Sequence, residues 1–552
     1  MARTIVIVLL AIVAASRAIG APAVAPDGVT PAERLSLDPA LVTGLLSLAP
    51  GDSTWLAAWP LAPGRRGDLR VTRRDVYAPG AEIDVVDGPA PRPIARSNLV
   101  FLFGDTAGDD ATQVLLSIDP DTKQLRSFAR TTEGFSELRP VDGRRDTYLL
   151  APEPGFRDPS TALAGFTCEP EPSGPADEPA LSRSAAPGID GAAPLRQLTL
   201  AADTDNEFMN LKFGNDTTAA SNYIATLVAL MSVIYERDLS VRLLLGTTIL
   251  RVSTTPDPYA QSGTGNADSA KLTEFRDYWA ANYAGVSRAA AMLLSGKQAT
   301  TNSASGIGFV NALCSTNRGY TFTQVFKYAG STAGSDTMIV AHEVGHNFGS
   351  SHTHCYLDPT PIDMCYAGES GCYSGPTSCP AAQTINGVAN VRGTLMSYCH
   401  LLSGCSASAV FHPRTVELLD PIVASKVGVC VFPAAGANPK EASPAGTMTA
   451  RRGSGSAVAI TYTPACGATQ HTVYAGNLDA LRTNGLAWTQ RFCSLGVSSA
   501  LSFTPAGNVY FVIAANNGTT EGSYGRTSAG ERPAAGAGGA CSYTQDLSGT
   551  CP

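Results

Sequence analysis

The sequence predicts a multidomain protein, with an α/β domain between a β-rich N-terminal segment and an all-β, sandwich-like C-terminal domain. The chain has 552 residues, which is long enough for several folded units. Two segments rich in Pro, Gly, Ala and Ser, residues 169–194 and 433–447, lack core-forming residues and are typical of exposed linkers. Between the linkers, strand patterns alternate with helix patterns, which is typical of an α/β sheet.

The N-terminal 21 residues predict a secretory signal peptide. Arg3 is followed by an apolar run from Ile5 to Ala15 and then by small residues up to Ala21. This run is too short for the ~20 residues that a membrane span needs. We therefore expect a secreted, extracellular protein without a membrane span. The excess of arginine over lysine, with abundant Ala and Gly, is typical of a bacterial source.

Residues 22–194 predict a β-rich unit, with clear strand patterns at Asn98–Phe103 and Thr112–Ile118. Hydrophobic residues make up 44% of the chain and charged residues 16%, which excludes disorder throughout. The formal net charge of −8 gives no electrostatic reason to expect nucleic acid as a partner.

Residues 195–432 carry the α/β pattern. A strand is predicted at Leu198–Asp203, a helix around Ile224–Tyr235, a strand from Val241, and a second helix over Lys271–Leu294. Residues 448–552 instead alternate as strands do and contain turn residues between them, which favours a small β-sandwich.

The 13 cysteines are unevenly distributed. Cys168 is isolated in the first 313 residues, eight cysteines lie between Cys314 and Cys430, and four lie near the C-terminus. In an oxidising compartment the two even groups can pair within their own domains, which leaves Cys168 as the odd one. The sequence leaves the connectivity open.

The histidines point to a metal site. His342 and His346 are four residues apart in a helical segment, so they project from the same face and can bind one zinc ion. Gly349 can end the helix in a left-handed conformation, which returns His352 to the metal. Three imidazoles leave the fourth position for water, as in a catalytic site. Glu343 would then act as the general base that activates this water.

These residues match the zinc motif of metzincin metalloproteases, whose pattern includes a downstream Met-turn. Gly393–Tyr398 resembles that turn, with Met396 predicted to lie beneath the imidazoles. Residues 195–430 as a whole resemble secreted bacterial reprolysin-like (adamalysin-type) zinc metalloproteases. The resemblance implies an α/β metzincin fold with a mixed sheet, and a propeptide in residues 22–194.

One departure from the family concerns the residue after the third histidine. Animal reprolysins usually carry Asp there, whereas this chain has Thr353. The calcium site of some reprolysins needs an acid in the first strand, where this sequence has Gln197, so we do not predict calcium.

Four further residues have two interpretations each. Tyr398 occupies the position at which some metzincins place a tyrosine that stabilises the oxyanion, but it is also a candidate core residue. Cys168 is either a zinc ligand that keeps a zymogen latent or an incidental or intermolecularly paired thiol. His354 and His400 are candidates for a second metal site or are simply surface or hydrogen-bonded residues.

The sequence therefore predicts a secreted zinc endopeptidase, made as a zymogen, that cleaves extracellular proteins through a zinc-bound water activated by Glu343. Its partners would be protein or peptide substrates and an activating protease. The rival hypothesis is a secreted adhesin that keeps the protease fold without activity. The intact Glu343 argues against it, because an inactive relative has no need of the base.

Overall fold

The computed structural model describes residues 32–152, 195–434 and 441–547, with short gaps at 89, 107–108, 132–133, 142–143, 145, 253–256, 260–266, 298–304, 326–331, 443–447, 466–467, 469, 494, 497–499, 518–519, 528–529, 536–540, 542. The predicted signal peptide, the linker residues 169–194 and Cys168 lie outside the described residues. The described chain divides into two compact units, with the second containing the residues from Pro433 onward.

The described N-terminal residues, 32–152 with their gaps, form ten strands and one helix. They are β1 (Glu33–Ser36), α1 (Pro39–Leu46), β2 (Ser53–Ala62), β3 (Arg65–Arg74), β4 (Ile83–Val86), β5 (Arg92–Ile94), β6 (Val100–Thr106), β7 (Asp109–Ile118), β8 (Leu125–Thr131), β9 (Gly134–Pro140) and β10 (Thr147–Pro152). Eight of these strands form one antiparallel sheet in the order β1-β10-β9-β8-β7-β6-β3-β2. The two strands predicted from the sequence correspond to β6 and β7.

The central residues form an α/β arrangement. Its elements are β11 (Arg196–Thr204), α2 (Thr217–Leu239), β12 (Val241–Arg251), α3 (Ser269–Asn282), β13 (Ala290–Ser295), β14 (Gly306–Gly308), β15 (Tyr320–Gln324), α4 (Ala333–Phe348), β16 (Gln383–Ile385), β17 (Val388–Val391), α5 (Pro413–Ser425) and β18 (Val431–Pro433). The main sheet has the order β14-β15-β13-β11-β12-β4-β5, with β18 paired to β11. β11, β13 and β15 run parallel, whereas the edge strand β14 is antiparallel to β15. The sheet is therefore mixed.

The second predicted helix, over Lys271–Leu294, is wrong in its C-terminal half. Helix α3 ends at Asn282, and Ala290–Ser295 forms the central strand β13. All six β13 residues are buried, because parallel neighbours cover both edges of the strand and packed layers cover both faces. Such a strand is a continuous apolar run and cannot be told from a buried helix by periodicity.

Strands β4 and β5 come from the N-terminal segment but extend the sheet of the central residues. β4 pairs in parallel with β12, with Ile83 opposite Thr248. The backbone N–H of Leu245 donates to the carbonyl of Val76 at 2.8 Å, which continues the pairing beyond the strand. The N-terminal and central residues thus share one compact unit.

Helix α2 is the one described helix that is long and apolar enough to cross a membrane, with a mean hydropathy of 1.4 over 18 residues. Within this unit, however, 72% of that stretch is buried. Its Tyr235 hydroxyl donates to the carbonyl of Ala341 in α4 at 2.8 Å. The apolar character of α2 is therefore accounted for by its place in the core.

The part of the C-terminal unit that the structure describes contains ten short strands and one short helix. They are β19 (Thr449–Arg452), β20 (Val458–Thr461), β21 (Gln470–Asn477), α6 (Leu481–Asn484), β22 (Gln490–Phe492), β23 (Ala500–Phe503), β24 (Val509–Asn516), β25 (Thr520–Glu521), β26 (Arg526–Thr527), β27 (Gly530–Glu531) and β28 (Thr544–Gln545). A three-stranded sheet, β19-β20-β23, and a five-stranded sheet, β22-β21-β24-β25-β28, contribute residues to the same hydrophobic cluster.

All eight cysteines between Cys314 and Cys430 pair with one another. The disulfides are Cys314–Cys430, Cys355–Cys372, Cys365–Cys399 and Cys379–Cys405. In the C-terminal unit, Cys493 pairs with Cys541. The expectation that cysteines pair within their own groups agrees with these five disulfides.

Candidate metal centre

Helix α4 is held at both ends. Thr332 and Ser335 form a reciprocal capping box at its N-terminus. In its first turn, Asp336 accepts a hydrogen bond from the Tyr223 hydroxyl of α2 at 2.6 Å. At its C-terminus, Gly349 adopts a left-handed conformation with φ 117°, as the sequence predicts. The chain can therefore turn back sharply towards the helix.

This turn brings three histidines together. Their candidate ligand nitrogens all lie within 4.8 Å of one another. The ring centroids are 4.9 Å apart for His342 and His346, 5.2 Å for His342 and His352, and 4.8 Å for His346 and His352. All three side chains are buried. The arrangement is a compact triangle of imidazoles.

The Nδ1 atom of each imidazole faces an oxygen. His342 Nδ1 lies 2.8 Å from the carbonyl oxygen of Leu395, and His346 Nδ1 lies 2.7 Å from that of Ser350. His352 Nδ1 lies 2.7 Å from Glu369 Oε2. Because carbonyls and carboxylates only accept, these contacts require a proton on each Nδ1. The Nε2 lone pairs then remain for a metal, and His352 Nε2 has no hydrogen-bond partner among the described residues.

The three rings are neutral near neutral pH. Burial, followed by the neighbouring His352, lowers the pKa of His346 to about 3. Burial also holds the pKa of His342 well below its usual value, with further lowering from His346 and His352. For His352, burial lowers the pKa although Glu369 opposes the shift. Neutral imidazole is the form that binds metals.

Glu343 directly follows His342 in α4. Its side chain is fully buried. The carboxylate lies against the backbone of β14, since a β-carbon on Gly306 would overlap Glu343 Oε1. A β-carbon on Gly308 would in turn lie 2.8 Å from the Glu343 carbonyl oxygen. The Gly-Ile-Gly sequence thus allows the edge strand to approach the helix closely.

Comparison with known proteins identifies the central residues. Residues 195–400 match a reprolysin model described as Metallo-peptidase family M12. This segment is a reprolysin-like metallopeptidase domain. No curated protein matches the chain. A solved structure described as "Structure of a chaperone-substrate complex" aligns with a TM-score of 0.26 and 10% identity, over 54% of this chain and 39% of its own.

An M12 metallopeptidase implies a divalent metal, and the chemistry of the histidines suits zinc. Zinc binds imidazole nitrogen readily, and three protein ligands are typical of a catalytic zinc site. The Nδ1 contacts direct the three Nε2 atoms towards a common point, and burial keeps the rings neutral. The residues present therefore fit zinc, with His342, His346 and His352 as the ligands.

Met396 lies beneath the helix of the metallopeptidase domain. A β-carbon built on Gly345, which lies between His342 and His346 in α4, would lie 2.7 Å from Met396 Sδ. The Met396 carbonyl accepts the backbone N–H of Thr353, the residue after His352, at 3.0 Å. The Met-turn thus contacts both helix α4 and the segment that carries the third histidine, His352.

Tyr398 packs beside the histidines. Its ring centroid lies 4.5 Å from that of His352 and 6.3 Å from that of His342, and the side chain is buried. This position suits both interpretations made from the sequence, the oxyanion role and the packing role. The oxyanion role stays a prediction. Cys168 lies outside the described residues, so its role also stays a prediction.

The departure at Thr353 has a structural counterpart. The Thr353 hydroxyl donates to Asp363 Oδ2, and Asp363 Oδ1 accepts the backbone N–H of Cys365 at 3.0 Å. The Thr353 hydroxyl also lies 3.2 Å from the Met396 carbonyl oxygen. Asp363, ten residues downstream, therefore places a carboxylate next to the residue that follows the third histidine. The sequence analysis did not predict this contact.

Glu369 is the second residue that the sequence analysis missed. Its Oε2 accepts hydrogen bonds from His352 Nδ1 at 2.7 Å and from His354 Nε2 at 2.8 Å. Burial alone would raise the pKa of Glu369, but these two hydrogen bonds outweigh burial and hold the pKa at about 2. His354 is thus the partner of a carboxylate. His400 is buried, with its ring 6.1 Å from that of Tyr398.

Two other groups of potentially metal-ligating side chains are poorer candidates for a metal site. Cys355 belongs to a group with His352, His354 and Glu369, but it forms a disulfide with Cys372. The cysteines of the remaining group, Cys365, Cys399 and Cys405, are also in disulfides. Among the described residues, the histidine triangle is therefore the group best suited to a metal.

Proposed function

We propose that this protein is a secreted zinc-dependent endopeptidase that is made as a zymogen. One observation carries the proposal most directly. The candidate ligand nitrogens of three buried, neutral imidazoles lie within 4.8 Å of one another, and the buried Glu343 directly follows the first of these histidines in α4. A structural zinc site is closed by four protein ligands and has no need of an adjacent acid, whereas a hydrolytic site needs an open position and a base.

The chain's own residues supply positioning and proton transfer. Zinc, when bound, lowers the pKa of water and polarises a carbonyl as a Lewis acid. Glu343 accepts a proton from the attacking water and returns it to the nitrogen of the leaving amine. The backbone of Gly306 limits where this carboxylate can lie, and burial of the three histidines excludes competing bulk water.

Edge strand β14 supports an endopeptidase rather than an exopeptidase. β14 lies at one end of the sheet order and pairs with β15 on one side. Its Gly306 contacts the Glu343 carboxylate. An extended peptide can add to such an edge by backbone hydrogen bonds and so lie across the site with chain on both sides of the reacting bond.

The zymogen and the secretion proposals rest on sequence and disulfides. Five disulfides in the described residues are typical of a protein from an oxidising compartment. Residues 1–21 have the pattern of a signal peptide. An activating protease would cut between residues 169 and 194, in the Pro- and Gly-rich linker.

The test is hydrolysis of casein and of internally quenched peptides with blocked ends, measured with and without a chelator. We expect cleavage that the chelator abolishes and that added zinc restores. His346→Ala serves as the control that removes a ligand. A cleaved, folded, zinc-loaded protein that leaves every protein and peptide intact would favour the adhesin hypothesis instead.

A further inference from the structure

Glu369 joins the third histidine to its neighbour. Its Oε2 lies 2.7 Å from His352 Nδ1 and 2.8 Å from His354 Nε2. The two imidazole rings stack at 8° with centroids 5.4 Å apart. Both histidines are fully buried, whereas the Glu369 side chain is 19% exposed. One carboxylate oxygen therefore orients two imidazoles from the side away from the triangle.

This contact determines which nitrogen of His352 carries the proton. An ionised carboxylate has no proton to donate, so His352 must donate from Nδ1. Its Nε2 is then the nitrogen with the lone pair, and it faces the other two candidate ligands. His342 and His346 have backbone carbonyls in this role. The Nδ1 atom of His352, in contrast, contacts a carboxylate.

The segment of Glu369 is held by a disulfide. Cys355, three residues after His352, pairs with Cys372, three residues after Glu369. The backbone N–H of Tyr373 donates to the carbonyl of His354 at 3.1 Å, and that of Cys372 lies 3.3 Å from the Glu369 carbonyl oxygen. The disulfide thus brings two segments, separated by 17 residues at the cysteines, into the register that places Glu369 against His352.

We propose that Glu369 is a positioning residue for the third zinc ligand, and that the Cys355–Cys372 disulfide serves to hold Glu369 against His352. The proposal rests on the proposed zinc site. Carboxylates that orient a ligating histidine typically contribute 10- to 100-fold to metal affinity. Glu369 acts through His352 and does not itself touch the metal or the substrate.

The first experiment measures zinc affinity by competition with a chelator of known affinity. We expect Glu369→Ala to weaken zinc binding by about 10- to 100-fold. Glu369→Gln should recover part of the loss, because its amide oxygen can still accept from His352 Nδ1. Glu417→Ala, on the exposed face of α5, is the matched control and should bind as the wild type does.

A purely structural role for Glu369 makes a different prediction. It would lower the melting temperature of the zinc-free protein and leave the affinity of the folded fraction unchanged. We expect the zinc affinities of wild type and Glu369→Gln to differ even when both are measured well below their zinc-free melting temperatures, where both proteins are fully folded. Wild-type affinity in Glu369→Ala would overturn the proposal. A wild-type protein that binds no zinc would instead overturn the proposed function.

The second experiment tests the disulfide. Replacing both Cys355 and Cys372 by Ser should weaken zinc binding to the same degree as Glu369→Ala. Combining the two changes should cause no further loss, because both remove the same contact. Replacing Cys379 and Cys405 by Ser is the control, and it should leave zinc affinity near that of the wild type. Additive losses, or an equal loss in the control, would overturn the role of the disulfide. If the Cys355/Cys372 variant fails to fold, the Glu369 variants still decide whether Glu369 positions His352.

Discussion

Met396 occupies the space that a side chain on Gly345 would need. A β-carbon on Gly345 would lie 2.7 Å from Met396 Sδ and 3.4 Å from Phe411 Cε1. Because Met396 and Phe411 are both buried, neither can move away freely. We expect Gly345→Ala to destabilise the domain by about 1–3 kcal/mol through overpacking, despite alanine's better helix propensity.

The measurement is thermal unfolding of the zinc-free protein. Gly285→Ala is the control, since no atom lies within 4 Å of a β-carbon there. An increase in the melting temperature of Gly345→Ala would mean that Met396 is not tightly packed against the helix.

Glu343→Gln separates the base from the metal ligands. The amide keeps the shape of the side chain and leaves all three histidines intact. We expect full zinc occupancy with hydrolysis reduced at least ~100-fold, the usual scale for loss of a general base. Zinc content by elemental analysis and kcat/KM on one peptide are the measurements. Turnover near the wild-type value at full zinc occupancy would contradict the role of Glu343.

Tyr398→Phe removes one hydroxyl and keeps the ring. Because the ring packs 4.5 Å from that of His352, the variant should fold and bind zinc normally. If the hydroxyl stabilises the oxyanion, kcat falls ~10- to 1000-fold while KM changes little. Steady-state kinetics with the mature enzyme check this expectation. An unchanged kcat would assign Tyr398 to packing alone.

Cys168→Ser tests latency. If the Cys168 thiolate is a zinc ligand in the zymogen, serine is a much poorer ligand, and the uncleaved precursor should hydrolyse peptides. Mature enzyme from which the cleaved N-terminal segment, including residue 168, has been removed should be unaffected. If the propeptide acts only by filling the cleft, the Cys168→Ser precursor stays inactive. Activity of the precursor, measured beside thiol-reagent treatment of the wild type, distinguishes the two.

Cleavage of the linker should not by itself release the N-terminal segment. β4 is paired with β12, and Arg74 of β3 forms a 2.8 Å ion pair with the buried Glu236 of α2. We expect the fragments on either side of a cut between residues 169 and 194 to elute together in gel filtration. Replacing Ile83 and Val85, both buried in β4, by Asp should separate them. Separation of the wild-type fragments would show that these contacts are too weak to hold the N-terminal segment on the cleaved protein.

The sequence predicts most of helix α4 and its histidines, because the residues that determine this helix are close together in the chain. His342 and His346 are one turn apart, and Gly349 is the residue type that a left-handed helix end favours. Glu369 and Asp363 have no such signal, since they reach the site through a disulfide-linked loop of irregular structure. The pairing of β4 with β12 could not be predicted either. Neither strand carries a local sequence pattern that indicates which distant strand it pairs with. The sequence of β13 predicts a helix because burial on both faces of the strand removes the alternation that marks a strand.

The Cys314–Cys430 disulfide closes a loop of 116 residues that contains all three histidines, Glu343, Met396 and Tyr398. An active protease is exposed to cuts by its own copies, and loops such as residues 356–382 offer sites for them. A single cut within the closed loop leaves two pieces that are still joined covalently. Damaged enzyme would therefore run as one band on a non-reducing gel and as two after reduction. The molecule can thus be nicked near its active site without losing half of that site.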